Sequence, residues 1–85
     1  MGVKLVVKSK MDIQALLRIL QFLRRVEHTS PLNSLLIRGD GRHLIIEALF
    51  KPLNSGVSRI HVFSRKISML PGVFEVKVLG EDKNG

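Results

Sequence analysis

Three histidines, His28, His43 and His61, are the side chains of this sequence whose ordinary ionisation lies nearest neutrality, so proton transfer or metal ligation would start with them. Their positions predict a helix end, a strand start and a helix surface, and no spacing draws them to one metal. They read as solvated or locally hydrogen-bonded histidines. Ser55, Ser58, Ser64 and Ser68 have no base beside them in the sequence, and nothing around them resembles a nucleophile elbow. Glu47 and Glu75 fall in strand-like segments, where pairing with a cross-strand Lys or Arg is expected rather than acid–base catalysis. Asp40 stands between Gly39 and Gly41 and reads as a turn-former. The absence of Cys excludes disulfides and thiolate metal sites. No catalytic constellation emerges, and the chain is expected to be non-catalytic, with no cofactor and no metal.

The charge balance invites a different chemistry. Fourteen Lys and Arg against seven Asp and Glu give a net charge of +7 and an isoelectric point near 10.6. Such a balance favours anionic partners, nucleic acid among them. The basic residues are spread from Lys4 to Lys83, with short pairs at Arg24-Arg25 and Arg65-Lys66. Lys4, Lys8, Arg38, Arg42 and Lys77 are the candidate nucleic-acid contacts, and strand alternation predicts Lys4, Lys8 and Lys77 on the sheet face away from the helices. Glu47 and Glu75 on that face would oppose phosphate. An RNA-recognition surface also needs aromatic rings on the central strands. The first strand has none, the third has only Phe50, and Tyr and Trp are absent.

These residues are carried by six alternating elements. Val3 to Lys8 alternates as a half-buried strand. Ser9 or Asp12 can cap a helix that runs to about His28 and stops before Ser30-Pro31, because proline disfavours helical geometry in the residue before it. Asn33 to Arg38 and Arg42 to Phe50 form a hairpin around Asp-Gly, which supplies the positive φ that tight turns need. After the loop Lys51 to Gly56, with a cap at Asn54 or Ser55, a second helix has Val57, Ile60, Phe63, Ile67 and Leu70 on one side. Leu70-Pro71-Gly72 ends it. A fourth strand, Val73 to Leu79, is expected to put Phe74, Val76 and Val78 on one face. Strand, helix, strand, strand, helix, strand is the βαββαβ order, and right-handed crossovers place both helices on one face of an antiparallel sheet. The prediction is an α+β, ferredoxin-like sandwich: one domain over residues 1–80 and a polar, flexible tail over 81–85.

The first helix holds more apolar residues than one face accommodates. At about 100° per residue, Ile13, Leu16, Leu20 and Leu23 make one stripe, and Ile19, Phe22 and Val26 widen it to roughly twice the usual arc. One flank is expected to cover the sheet and the other to cover a partner. Ile19, Phe22, Leu23 and Val26 are the predicted dimer or partner contacts. A chain of 85 residues with 45% hydrophobic residues is too apolar to be disordered, and small domains without disulfides often gain stability by oligomerising. No apolar run approaches the ~18 residues of a membrane span, and no signal-peptide pattern opens the chain. No membrane association and a cytoplasmic location are the expectation.

Three stretches carry a family resemblance: Ala15 to Arg25 with its paired arginines, Leu32-Asn33-Ser34-Leu35-Leu36-Ile37, and Leu70-Pro71-Gly72-Val73-Phe74-Glu75-Val76-Lys77-Val78. Their order and spacing resemble ACT domains, and among these the small regulatory subunits of acetohydroxyacid (acetolactate) synthase, whose second strand opens with a run of the form N-I-E-S-L-x-V. The resemblance spans Val3 to Leu79. It implies a homodimer that binds and modulates the synthase's catalytic subunit in branched-chain amino-acid biosynthesis. It also implies a small amino-acid effector near the loop after the first strand, here Ser9, Lys10, Met11, Asp12, Ile13 and Gln14. Amino-acid-binding members usually carry Gly where the helix begins. This chain has none there, and Asp12, expected to cap the helix, would repel a ligand's carboxylate.

Overall fold

In the computed structural model, which describes residues 2–28, 30–51 and 56–80, β1 (Val3–Lys10) is buried at every second residue. Val3, Leu5, Val7 and Ser9 point into the core, and Lys4, Val6 and Lys8 point to the opposite face. Asp12, with extended backbone, caps α1 (Ile13–Glu27) by accepting a hydrogen bond from the Gln14 amide at 3.3 Å. Arg24 and Arg25 in the last turn complement the helix dipole. β2 (Leu32–Gly39) and β3 (His43–Phe50) follow as a hairpin. In its turn Gly41 has φ of 91°, and the Asp40 carboxylate accepts from the Arg42 and His43 amides at 2.9 and 2.7 Å. α2 (Gly56–Ser68) and β4 (Val73–Gly80) complete the chain. Residues 52–55, which include the predicted cap at Asn54 or Ser55, lie outside the described residues, as do the side chain of Val57 and the tail.

The four strands lie in the order β2-β3-β1-β4, with β1 antiparallel to both β3 and β4 and β2 antiparallel to β3. This is the βαββαβ sandwich that the element order predicts. Leu5, Val7, Ile46, Ala48 and Phe50 from the sheet meet Ile19, Leu23 and Val26 from α1 and Ile60 and Ile67 from α2 in one fully buried cluster. α1 packs over β1 and β3, and α2 over β4 and β1. β2 projects past this layer, and every residue of it except Leu32 is exposed.

Two expectations are corrected. The core-facing side of α1 is Ala15, Ile19, Leu23 and Val26, while Ile13 points outward. The rotation sets small Ala15 against Gly72: a Cβ added at Gly72 would lie 3.2 Å from Ala15 Cβ, so α1 lies close to the start of β4 at that point. In β4, Phe74 does not share a face with Val76 and Val78. A β-bulge sets Lys8 opposite Glu75 but Ser9 opposite Val73, so Phe74 is the extra residue. It is turned out of the core at 61% exposure and meets the His43 ring edge to face at 5.2 Å.

Candidate functional site

Edge strand β2 runs Leu32-Asn33-Ser34-Leu35-Leu36-Ile37 without a charge before Arg38. Its register places Leu35 opposite Ala48 and Ile37 opposite Ile46, on the helix side of the sheet, yet each is 40% exposed because α1 stops short of them. The neighbouring flank of α1 is apolar too. Phe22 turns toward α2, where it meets Phe63, so the opposite flank faces β2. That flank carries Leu16 and Leu20, partly buried against the core, and Ile13 and Leu17, exposed at 66% and 52%. Met11 closes one end: its Cε lies 3.1 Å from where a Gly39 Cβ would stand. The result is an apolar shelf beside a row of unpaired strand amides and carbonyls.

The other edge is built differently. β4 carries the bulge, together with Glu75 and Lys77 in an ion pair at 3.7 Å. Charges and bulges are devices that stop an edge from recruiting another strand. β2 carries no charge along Leu32 to Ile37, and its own register shift, between Leu32 and Ser34, is confined to its first residues. The signal in the sequence was this charge-free run, apolar at Leu35 and Ile37 on one face and at Leu36 on the other.

The four residues expected at a partner interface divide. Ile19, Leu23 and Val26 are sealed within the protomer's own core and present no surface to a second chain. Their large apolar faces are satisfied by β1, β3 and α2. Phe22 is half-buried in an edge-to-face contact with Phe63, the ring centroids 6.4 Å apart. The surplus apolar area of α1 therefore lies on the opposite flank, at Ile13 and Leu17.

The stretch Ser9 to Gln14, expected as a ligand loop, is tight and internally bonded. The Lys10 amide donates to the Gly72 carbonyl at 2.7 Å and the Asp12 amide to the Lys10 carbonyl at 2.9 Å. Ser9 is fully buried, and its hydroxyl donates to the Lys10 carbonyl at 3.1 Å. With Gln14 donating to Asp12, three amides of this segment are engaged within the chain. Met11 and Ile13 point outward and belong to the shelf.

On the sheet face away from the helices, the register brings Lys4, Lys8, Arg38 and Lys77 together, as alternation predicts for the lysines, while Arg42 sits apart in the hairpin turn. A shallow groove of about 220 Å³ is lined there by Val6, Lys8, Arg38, Ile45, Glu75 and Lys77. Its charges are largely met. Glu47 is held by Arg38 at 3.1 Å and Lys4 at 3.7 Å, and Glu75 by Lys77. Lys4, Arg38 and Lys77 are thus engaged by the two carboxylates that would oppose phosphate, whereas Lys8 has no carboxylate within ion-pair distance among the described residues.

The three histidines are far apart in role. His28 and His61 are exposed, and His43 lies between Phe74 and Asp40, its Nδ1 3.8 Å from the carboxylate. Hydrogen bonds from the Arg42 and His43 amides hold the Asp40 carboxyl below the usual carboxylate range. Ser64 and Ser68 donate to the backbone carbonyls of His61 and Arg65, three residues earlier. Among the described residues no group of three His, Asp or Glu side chains is placed to hold a metal ion. Nor does a helix among them reach the length and apolarity needed to cross a membrane.

Compared with protein-family models and with curated protein sequences, the chain matches none. Solved structures do match. The crystal structure of the ACT domain from GTP pyrophosphokinase of Chlorobium tepidum superposes with a TM-score of 0.76, covering 92% of this chain and 96% of that one at 10% identity. The fold is that of an ACT domain. The C-terminal domain of the MgtC protein from Mycobacterium tuberculosis shares it, with a TM-score of 0.72, coverage of 98% and 90%, and 15% identity. So does an uncharacterized protein from Thermotoga maritima, with a TM-score of 0.71, coverage of 92% of each chain and 18% identity. At these identities what is shared is the backbone path, not a set of site residues.

Proposed function

We propose that this ACT-fold chain is a non-catalytic regulatory module that pairs with a second copy of itself through β2 and the adjoining flank of α1. Antiparallel addition of one β2 to the other would satisfy the open amides and carbonyls of both edges and join the two sheets into one. Leu35, Ile37, Ile13 and Leu17 of each copy would then be covered together. The observation that supports this reading is the combination of an edge without charge or proline over Leu32 to Ile37 with exposed apolar residues on the helix side of the same edge. Hydrophobic burial and strand pairing act on one surface there, as expected of a self-complementary twofold interface.

The partner the sequence favours is the catalytic subunit of acetohydroxyacid synthase, by the resemblance carried on Ala15 to Arg25, Leu32 to Ile37 and Leu70 to Val78. In this reading the module belongs to branched-chain amino-acid biosynthesis and acts in the cytoplasm. An amino-acid effector would reach the end of the sandwich near Ser9 to Gln14, with Asp12 turned to capping. Co-purification with the thiamine-diphosphate-dependent catalytic subunit, together with stimulation of its rate, tests the assignment. Failure to associate at low ionic strength would remove that partner. Thermal shift with valine, leucine and isoleucine tests the effector, and salt-sensitive binding of RNA or DNA by wild type but not by a Lys8→Glu variant would move the function to the open sheet face.

A further inference from the structure

The two helices repeat a pattern that neither the pairing surface nor the open sheet face uses. Arg18, Phe22 and Arg25 on α1 stand at positions i, i+4 and i+7, and Arg59, Phe63 and Lys66 on α2 stand at the same spacing. Antiparallel β1 and β3 each feed one helix, so α1 and α2 run in opposite directions. The two triplets therefore run in opposite directions on either side of the contact between the Phe22 and Phe63 rings, which meet edge to face at 71°. Arg25 Cζ sits 5.2 Å from the centre of the Phe22 ring and Lys66 Nζ 5.7 Å from that of Phe63. A groove of about 290 Å³, lined by Arg59, Val62, Phe63 and Lys66 of α2, opens beside the Phe63 ring.

The charge of this surface is one-sided. α2 contains no Asp or Glu, and α1 contains only Glu27, which the helical period places on the flank away from Phe22. Among the described residues none of Arg18, Arg25, Arg59 and Lys66 has a carboxylate within ion-pair distance, in contrast to Lys4, Arg38 and Lys77 on the sheet. We propose that this groove seats an acidic amphipathic segment of a partner protein. An apolar side chain of that segment rests on Val62 and the Phe22–Phe63 pair, and carboxylates on either side of it meet the four cations. The i to i+7 span is about 10 Å along each helix axis. A small carboxylic acid would reach only one end of that span, whereas two turns of an acidic helix match it. The ring faces already carry cations, which leaves them closed to stacking bases, and the half-buried rings cannot insert into a lipid layer. This surface is on the opposite flank of α1 from Ile13, so the proposal stands apart from the pairing of two copies.

The test is fluorescence anisotropy with the full chain and a labelled synthetic helical peptide bearing two Leu four residues apart, flanked by Glu. Its control is an isomer of identical composition with the Leu spread around the helix. Saturable binding is expected, stronger for the first peptide than for the isomer by about tenfold or more. Reversing two exposed charges, Arg59→Glu with Lys66→Glu, should weaken it by a similar factor with an unchanged circular dichroism spectrum. Leu17→Glu on the other flank should leave it unaltered. Equal binding of the two isomers overturns the proposal, as does indifference to the double reversal. Tighter binding of a single-stranded RNA or of phosphatidylserine vesicles at Arg59 and Lys66 overturns it as well.

Discussion

Replacing Ile19 by Ala discriminates between a helix that faces its own sheet through Ile19 and one that offers Ile19 to a partner. Ile19 is fully buried, with Leu5, Val7, Ile46 and Phe50 in the same cluster. Removing three carbon groups forfeits about 2.4 kcal/mol of transfer free energy at about 0.8 kcal/mol for each. A cavity between two helices and a sheet relaxes only in part and adds about 1–1.5 kcal/mol. The expected loss is about 3.5–4 kcal/mol, a large share of the ~5–10 kcal/mol available to a domain of this size. It corresponds to a fall in melting temperature of roughly 15 °C or more. Leu17→Ala, at a half-exposed position on the outer flank, should cost less than about 1 kcal/mol. Urea unfolding followed by far-ultraviolet circular dichroism, at concentrations low enough to hold the monomer, reads both. If Ile19→Ala kept wild-type stability and only reduced the solution mass, the rotation of α1 described above would be wrong.

Gly41 and Gly72 have nearly the same positive φ but different surroundings, and their Ala variants should separate strain from crowding. Gly41→Ala meets nothing within 4 Å and should cost about 1 kcal/mol by backbone strain alone, whereas Gly72→Ala adds a contact at 3.2 Å with Ala15 Cβ and should cost at least about twice that in thermal unfolding. Because Asp40 is held below its unfolded pKa of about 3.9, its contribution is fully present above that value and is lost as pH falls through the folded pKa. Asp40→Ala should therefore flatten the acid limb of the stability profile, and carboxyl-detected NMR should titrate Asp40 below the free carboxylate range. Phe74→Ser, outside the core, should shift stability by less than about 1 kcal/mol, while Val76→Ser, packed against the core, should cost about 2 kcal/mol or more in the same denaturant series.

How legible each feature was depended on whether the decisive interaction is local. The Asp40-Gly41 turn and the Asp12 cap are bonds between residues two or three apart, and their chemistry is visible in the residue types. The element order followed from alternation and helical period for the same reason. The rotation of α1 is not local. An arc of twice the usual width has no centre that spacing alone can locate, and the helix turns to place small Ala15 against Gly72, more than fifty residues away. Phe74 was hidden by a bulge, which inserts one residue and reverses the alternation behind it. The shelf was half legible: the charge-free run Leu32 to Ile37 announces an unprotected edge. That α1 leaves Leu35 and Ile37 uncovered depends on how far the helix layer reaches across the sheet.

The reading of this chain as a paired module rests on the β2 edge and the shelf beside it, and sedimentation velocity tests it most directly. Wild type should sediment as a dimer at concentrations of about 10–100 μM. Ile37→Lys, which puts a charge on the helix side of the edge while leaving the buried cluster intact, should sediment as a folded monomer with an unchanged circular dichroism spectrum. A wild-type protein that remains monomeric throughout that range, or an Ile37→Lys variant that dimerises as well as wild type, would contradict the account.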